Sequence, residues 1–112
     1  MSEFETLMDQ INQFREERDW LQFHNPKDLA LSLNLEAAEL LENFQWKSSE
    51  EAIDTQLPEI KDELADVMVY ALMFCSDLDI DPEQIIKAKL EKNQEKYPIE
   101  KAKGNKKKYH HL

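Results

Sequence analysis

Gly104 is the only glycine in 112 residues, and four prolines are the only other strong helix breakers. A chain this poor in glycine has little with which to build tight hairpin turns or glycine-rich phosphate loops, which need positive φ at set positions. Leu, Glu, Lys and Ala dominate instead, and all four favour helix. The expectation is an all-α fold. The length suits a single domain, 1–112, small enough that pairing with a second copy would help it bury a core.

Helix boundaries follow from caps and periodicity. Ser2 and Glu5 have capping-box spacing, and Phe4, Leu7, Met8, Ile11 and Phe14 recur at helical intervals, predicting a helix from Glu3 to about Trp20. Asn25 can cap a second helix with Pro26 in its first turn, spanning roughly residues 27 to 45. Leu29, Leu31, Leu33, Leu35, Leu40, Leu41 and Phe44 cover most of its circumference, so it is expected to be buried on nearly all sides. Ser48, Ser49 and the acids after them mark a loop or one short helix. A third helix runs from about Leu57 to Leu78 with a core face of Ile60, Leu64, Val67, Ala71, Phe74 and Cys75. Asp81 and Pro82 start a fourth that continues to about Lys96 before Pro98 stops it. The remainder, "EKAKGNKKKYHHL", has no apolar periodicity and reads as a loop or extended arm. The sum is an up-and-down bundle of four to five helices with a basic tail from about residue 98.

The net charge of −10 argues against nucleic-acid binding. Its distribution is uneven: residues 1–86 carry 21 acidic and 5 basic side chains, whereas residues 87–112 carry 3 acidic and 9 basic ones. An acidic body with a basic tail suits a metal plus a polyphosphate, although a solvated lysine-rich terminus accounts for it equally. Cys75 lies alone on an apolar helical face, which fits a core thiol in a reducing compartment. No segment approaches the roughly 20 apolar residues of a membrane span, and the acidic start, "MSEFETLMDQ", is unlike a signal peptide. A cytoplasmic protein without membrane association is expected.

Against this background the acids of the second and third helices stand out. At about 100° per residue, Ser32, Glu36, Glu39 and Asn43 fall on one narrow stripe of an otherwise apolar helix, with Glu42 at its margin. On the third helix Glu59, Glu63, Asp66 and Tyr70 line up. Glu36 with Glu39, and Glu63 with Asp66, are i, i+3 pairs, so four carboxylates converge if the two helices pack together. Ionised groups that close must either hold protons or enclose a cation. All-oxygen ligands without histidine suit Mg²⁺, Mn²⁺ or Ca²⁺, of which Mg²⁺ is favoured with Mn²⁺ as a substitute, and open positions on such an ion commonly serve a phosphate. Spacing alone is weak evidence, because Glu16 with Asp19, Glu51 with Asp54 and Glu59 with Asp62 share it. On the fourth helix Lys89, Asn93 and Lys96 form a further stripe.

Taken in order, "ERDWLQFHNPKDLALSLNLEAAELLENFQWK", "DELADVMVY", "KLEKNQEKYP" and a late "KKKY" resemble the all-α nucleoside triphosphate pyrophosphatases of the MazG-like superfamily, nearest to the dCTP pyrophosphatase branch. The resemblance runs from about Phe14 to Tyr109. It implies Mg²⁺-dependent hydrolysis of a nucleoside triphosphate, dCTP or a related dNTP, to the monophosphate and pyrophosphate. By position it makes Glu36, Glu39, Glu63 and Asp66 metal ligands. Trp20, His24 and Trp46 would line the base pocket, with Tyr70 supporting the site. Lys89, Asn93 and Lys96 would hold phosphate oxygens, and Lys108 and Tyr109 would close over the nucleotide. It also implies helices paired between subunits in a homo-oligomer, dimer or tetramer. Ile11 stands where close relatives carry a histidine. The competing expectation is a catalytically inactive helical oligomer acting as a binding or regulatory module.

Overall fold

The structure, a computed structural model, describes residues 1–106, and every regular element among them is a helix, without strands. They form α1 (Glu3–Glu17), a 3₁₀ turn (Leu21–Phe23), α2 (Pro26–Glu42), α3 (Ser49–Asp77), α4 (Pro82–Lys96) and α5 (Ile99–Ala102). The expected all-α class is what forms. Two compact units are present, Met1–Ile80 and the chain from Asp81 onward.

The helix starts are those the caps dictate. Ser2 Oγ accepts from the Glu5 amide at 3.1 Å, Asn25 Oδ1 from Asp28 at 2.9 Å, Ser48 Oγ from Glu51 at 3.1 Å, and Asp81 Oδ1 from Glu83 at 3.0 Å. Each satisfies an amide that the first helical turn leaves without an intrahelical partner.

The ends differ more from expectation. α1 stops at Glu17, three residues before Trp20, because Asp19 adopts φ 59° and turns the chain back. The Trp20 amide then donates to the Arg15 carbonyl at 2.9 Å and the Asp19 amide to Glu16 at 3.1 Å, the paired bonds of a Schellman ending. α3 closes the same way at Asp79, with φ 54° and an Ile80 amide bond to Cys75 of 2.8 Å. The short helix expected after Ser48 is present and runs on into α3, with a kink where Gln56 (φ −132°, ψ 23°) precedes Leu57 and Pro58. The tail after Pro98 begins with the four-residue helix α5 where a loop or extended arm is expected.

Within the first unit α3 packs most extensively on α2 and less so on α1. Leu29, Ala52, Met73 and Cys75 are its buried apolar residues. Two expectations fail here. Leu64, placed on the core face of α3, is exposed, and α2 buries only Leu29 while Leu31, Leu35 and Leu41 face outward. A helix apolar all round needs cover on all sides, and within a single chain α2 has α3 on one of them.

Candidate functional site

The packing of α2 on α3 brings their carboxylates together. Glu36 and Glu39 of α2 and Glu63 of α3 each offer an oxygen, and these atoms all lie within 4.8 Å of one another. Glu36 and Glu63 are half-buried and Glu39 is exposed, so the cluster opens to solvent on one side. Oε2 of Glu36 and Oε2 of Glu63 are buried without a hydrogen-bond partner. A carboxylate only accepts, so contacts among these side chains become hydrogen bonds only when one of them carries a proton.

The electrostatics reflect that conflict. Burial, followed by hydrogen bonding to Glu39 and the charges of Glu39 and Asp66, pushes the Glu36 carboxyl up to about 7. Glu63 is raised as well, first by its contact with Glu39 and then by burial. Asp66 lies outside the three-oxygen group, yet its charge reaches both of these glutamates. Glu42, at the margin of the stripe, is exposed against Ala38, Leu41, Phe44 and Gln45 and takes no part in the cluster.

Clustered all-oxygen donors, two of them buried and unsatisfied, fit a hard divalent cation. Such an ion would replace the missing protons and hydrogen-bond partners at once. Glu36, Glu39 and Glu63 would hold it, with Asp66 adding negative charge nearby.

Asp66 also lines an apolar groove of about 480 Å³ between α1 and α3, together with Leu7, Ile11, Phe14, Met68 and Val69. Phe14 meets Trp20 edge-on, with ring centroids 5.5 Å apart, and carries the Arg18 guanidinium over its face at 3.8 Å. Trp20 is 42% exposed. Trp46 is 94% exposed and has φ 62°, a conformation that an L-residue other than glycine seldom adopts. Tyr70 is half-buried on α3. In the second unit Lys89 and Lys96 are exposed and Asn93 is half-buried on α4. Lys108 and Tyr109 lie outside the described residues.

His24 is half-buried, and its ring contacts a residue that sequence reasoning missed. Arg15, fully buried, places Nη1 3.3 Å from His24 Nδ1 while its two terminal nitrogens grip Asp77 at 3.1 and 2.9 Å. Nη2 also donates to Asn12 Oδ1, and Asn12 Nδ2 donates to Ser76 Oγ at 2.8 Å. A signal existed in the sequence: Arg15 continues the α1 apolar stripe, four residues after Ile11 and seven after Met8, where an arginine has to be buried or displaced.

The family model described as the MazG-like family matches residues 31–112. The chain is 36% identical over 102 residues to dCTP pyrophosphatase 1 of Mus musculus, covering 87% of this chain and 60% of that protein. It is 33% identical over 105 residues to dCTP pyrophosphatase 1 of Homo sapiens, covering 89% of this chain and 62% of that protein. It therefore spans about 60% of the length of the curated relatives it matches. The crystal structure of a pyrophosphatase from Archaeoglobus fulgidus superposes with a TM-score of 0.82 at 43% identity, covering 88% of this chain and 94% of that one.

Proposed function

The chain belongs to the MazG-like family, and from that premise we propose that it is a Mg²⁺-dependent pyrophosphohydrolase of nucleoside triphosphates. The substrate is dCTP or a related dNTP, and the products are the monophosphate and pyrophosphate. The observation that carries this reading is the meeting of Glu36, Glu39 and Glu63 with two buried, unsatisfied oxygens. The names of the relatives, dCTP pyrophosphatase 1, supply the substrate class.

A divalent ion held there supplies charge neutralisation at phosphate oxygens and lowers the pKa of bound water. The chain does the rest. Glu36 and Glu63 provide the enclosed ligands, Glu39 the solvent-facing one, and Asp66 lends charge from the edge of the apolar groove. Glu39, exposed at the mouth of the cluster, is the carboxylate best placed to accept a proton from an attacking water. Trp20, Trp46 and His24 receive the base, with Tyr70 supporting the site from α3. Lys89, Asn93 and Lys96 hold phosphate oxygens and Lys108 and Tyr109 contact the nucleotide, the three lysines supplying the charge neutralisation that phosphoryl transfer chiefly demands. The protein works as a homo-oligomer, dimer or tetramer, because α2 exposes Leu31, Leu35 and Leu41. Among the described residues no helix is long and apolar enough to cross a membrane.

The test is incubation of the purified chain with each dNTP and NTP, with Mg²⁺ and separately with EDTA, resolving monophosphate, diphosphate, pyrophosphate and phosphate. Expected is magnesium-dependent formation of monophosphate and pyrophosphate, lost in Glu36→Ala and Asp66→Ala while helicity is retained. No turnover of any nucleotide across several divalent metals would overturn the proposal and favour an inactive binding module.

A further inference from the structure

We propose that Arg15 is a positioning residue that fixes His24 in one tautomer, making its Nε2–H a hydrogen-bond donor to an acceptor on the nucleotide base. The inference rests on the proposed function for its ligand and on the α1 terminus for its geometry.

The protons of the guanidinium decide the matter. Arginine stays charged and only donates. Nη1 has two hydrogens, one directed to Asp77 Oδ2 and the other to His24 Nδ1; Nη2 has two, directed to Asp77 Oδ1 and Asn12 Oδ1. All four are therefore assigned, and Asp77 takes the fork in the bidentate form that orients a guanidinium best. Asn12 is fixed in turn by its bond to Ser76. A donor facing Nδ1 requires a lone pair there, so the ring proton of neutral His24 resides on Nε2.

The same arginine holds the loop at a second point. Its backbone carbonyl receives the Trp20 amide at 2.9 Å and thereby ends α1. One buried residue thus sets both the exposed Trp20, which offers a stacking face, and the half-buried His24, which offers a donor. A flat apolar surface beside a fixed N–H suits a base better than a phosphate, which calls for positive charge. Arg15 itself does not touch the nucleotide in this arrangement. Its charge is spent on Asp77, and its side chain is fully buried.

The tautomer is read directly by long-range ¹H–¹⁵N correlation of the full chain, which distinguishes a protonated from a lone-pair nitrogen in each imidazole. His24 is expected with Nε2 protonated and Nδ1 bare, and its Nε2–H resonance is expected to shift on titration with a non-hydrolysable α,β-imido dCTP. An Nδ1-protonated ring, or an Nε2–H resonance indifferent to the analogue, overturns the inference, whether or not the chain hydrolyses nucleotides. Loss of catalysis with both signals as expected would instead count against the proposed function.

Kinetics separate positioning from simple support of the fold. Removing Arg15 alone strands Asp77, so the variant to use is Arg15→Met with Asp77→Leu, a replacement of an ion pair by apolar groups that folds commonly tolerate. With His24 present, KM for dCTP is expected to rise about tenfold with kcat little changed, the size of one hydrogen bond lost from ground and transition state alike. In a His24→Gln background, where an amide nitrogen supplies the donor and there is no tautomer to set, the same double change is expected to leave KM within about twofold. An equal rise in both backgrounds would mean that Arg15 only supports the fold. The difference is expected to vanish for a triphosphate of an abasic deoxyribose, and its persistence there would overturn the assignment of the acceptor to the base.

Discussion

At the level of single residues, Glu36 shows most clearly the conflict between stability and function. Its carboxyl is held up to about 7, chiefly by burial, against an ordinary value of 4.5. A raised acid binds more protons in the folded than in the unfolded state between those two values, so it lowers stability progressively as pH climbs through that window. Thermal melts in EDTA should show Glu36→Gln flattening the fall of Tm between pH 5 and 7.5, with Tm at the upper end higher by roughly 4–8 °C if about 1 kcal/mol of strain is relieved. Millimolar Mg²⁺ should raise the wild-type Tm through linkage and leave the Gln variant nearly unmoved. A wild-type Tm indifferent to Mg²⁺ would sink the metal reading. The carboxylates were legible in the sequence because an acid in an apolar helix breaks a pattern. Arg15 was less so: its place on the α1 apolar stripe is a signal, but it stands in "FREERD", a run that reads as a solvated charged face until Asp77, sixty-two positions later, is known to lie against it.

Helix starts were more legible than helix ends. A start is announced by a side chain that accepts from an amide three residues on, and Ser2, Asn25 and Ser48 do so as their identities require. An end is announced by glycine, and this chain uses aspartate instead, at Asp19 and Asp79. Aspartate enters the left-handed region more readily than most residues but at a cost that glycine avoids. Asp79→Gly should therefore keep the fold and raise its stability by about 0.5–1 kcal/mol, the relief of strain less the freedom gained by the unfolded chain, whereas Asp79→Val should lower it. Chemical denaturation measures both, and a Val variant as stable as the parent would contradict the argument. Gln56 and Pro58 show a related limit: the expected start near Leu57 falls at the kink, while the packing on α2 that accompanies the continuation of α3 beyond it is something no local signal contains.

For the molecule as a whole, composition and periodicity were enough to give the all-α class, because one glycine and an excess of helix formers leave few alternatives. They did not give the pattern of burial. Periodicity says which face of a helix is apolar and is silent on what covers it. Among the large apolar side chains of the described residues only Leu29 and Met73 are buried, while Leu35, Leu41 and Met68 are 61%, 70% and 59% exposed. Ordering a residue costs roughly 1–2 kcal/mol, so a chain that shields so little of its apolar surface has little with which to offset that cost. A second copy laid on the outer face of α2 would bury these leucines and leave the acid-lined side between α2 and α3 in place. Sedimentation velocity at micromolar concentration should accordingly show an oligomer. Leu35→Arg and Leu41→Arg, each putting a charge into an apolar contact, should shift it towards monomer with a fall in Tm that deepens on dilution. A wild-type chain that sediments as a monomer and unfolds cooperatively at a concentration-independent temperature would show instead that α2 and α3 stabilise each other without help, and that the outward leucines serve some other contact.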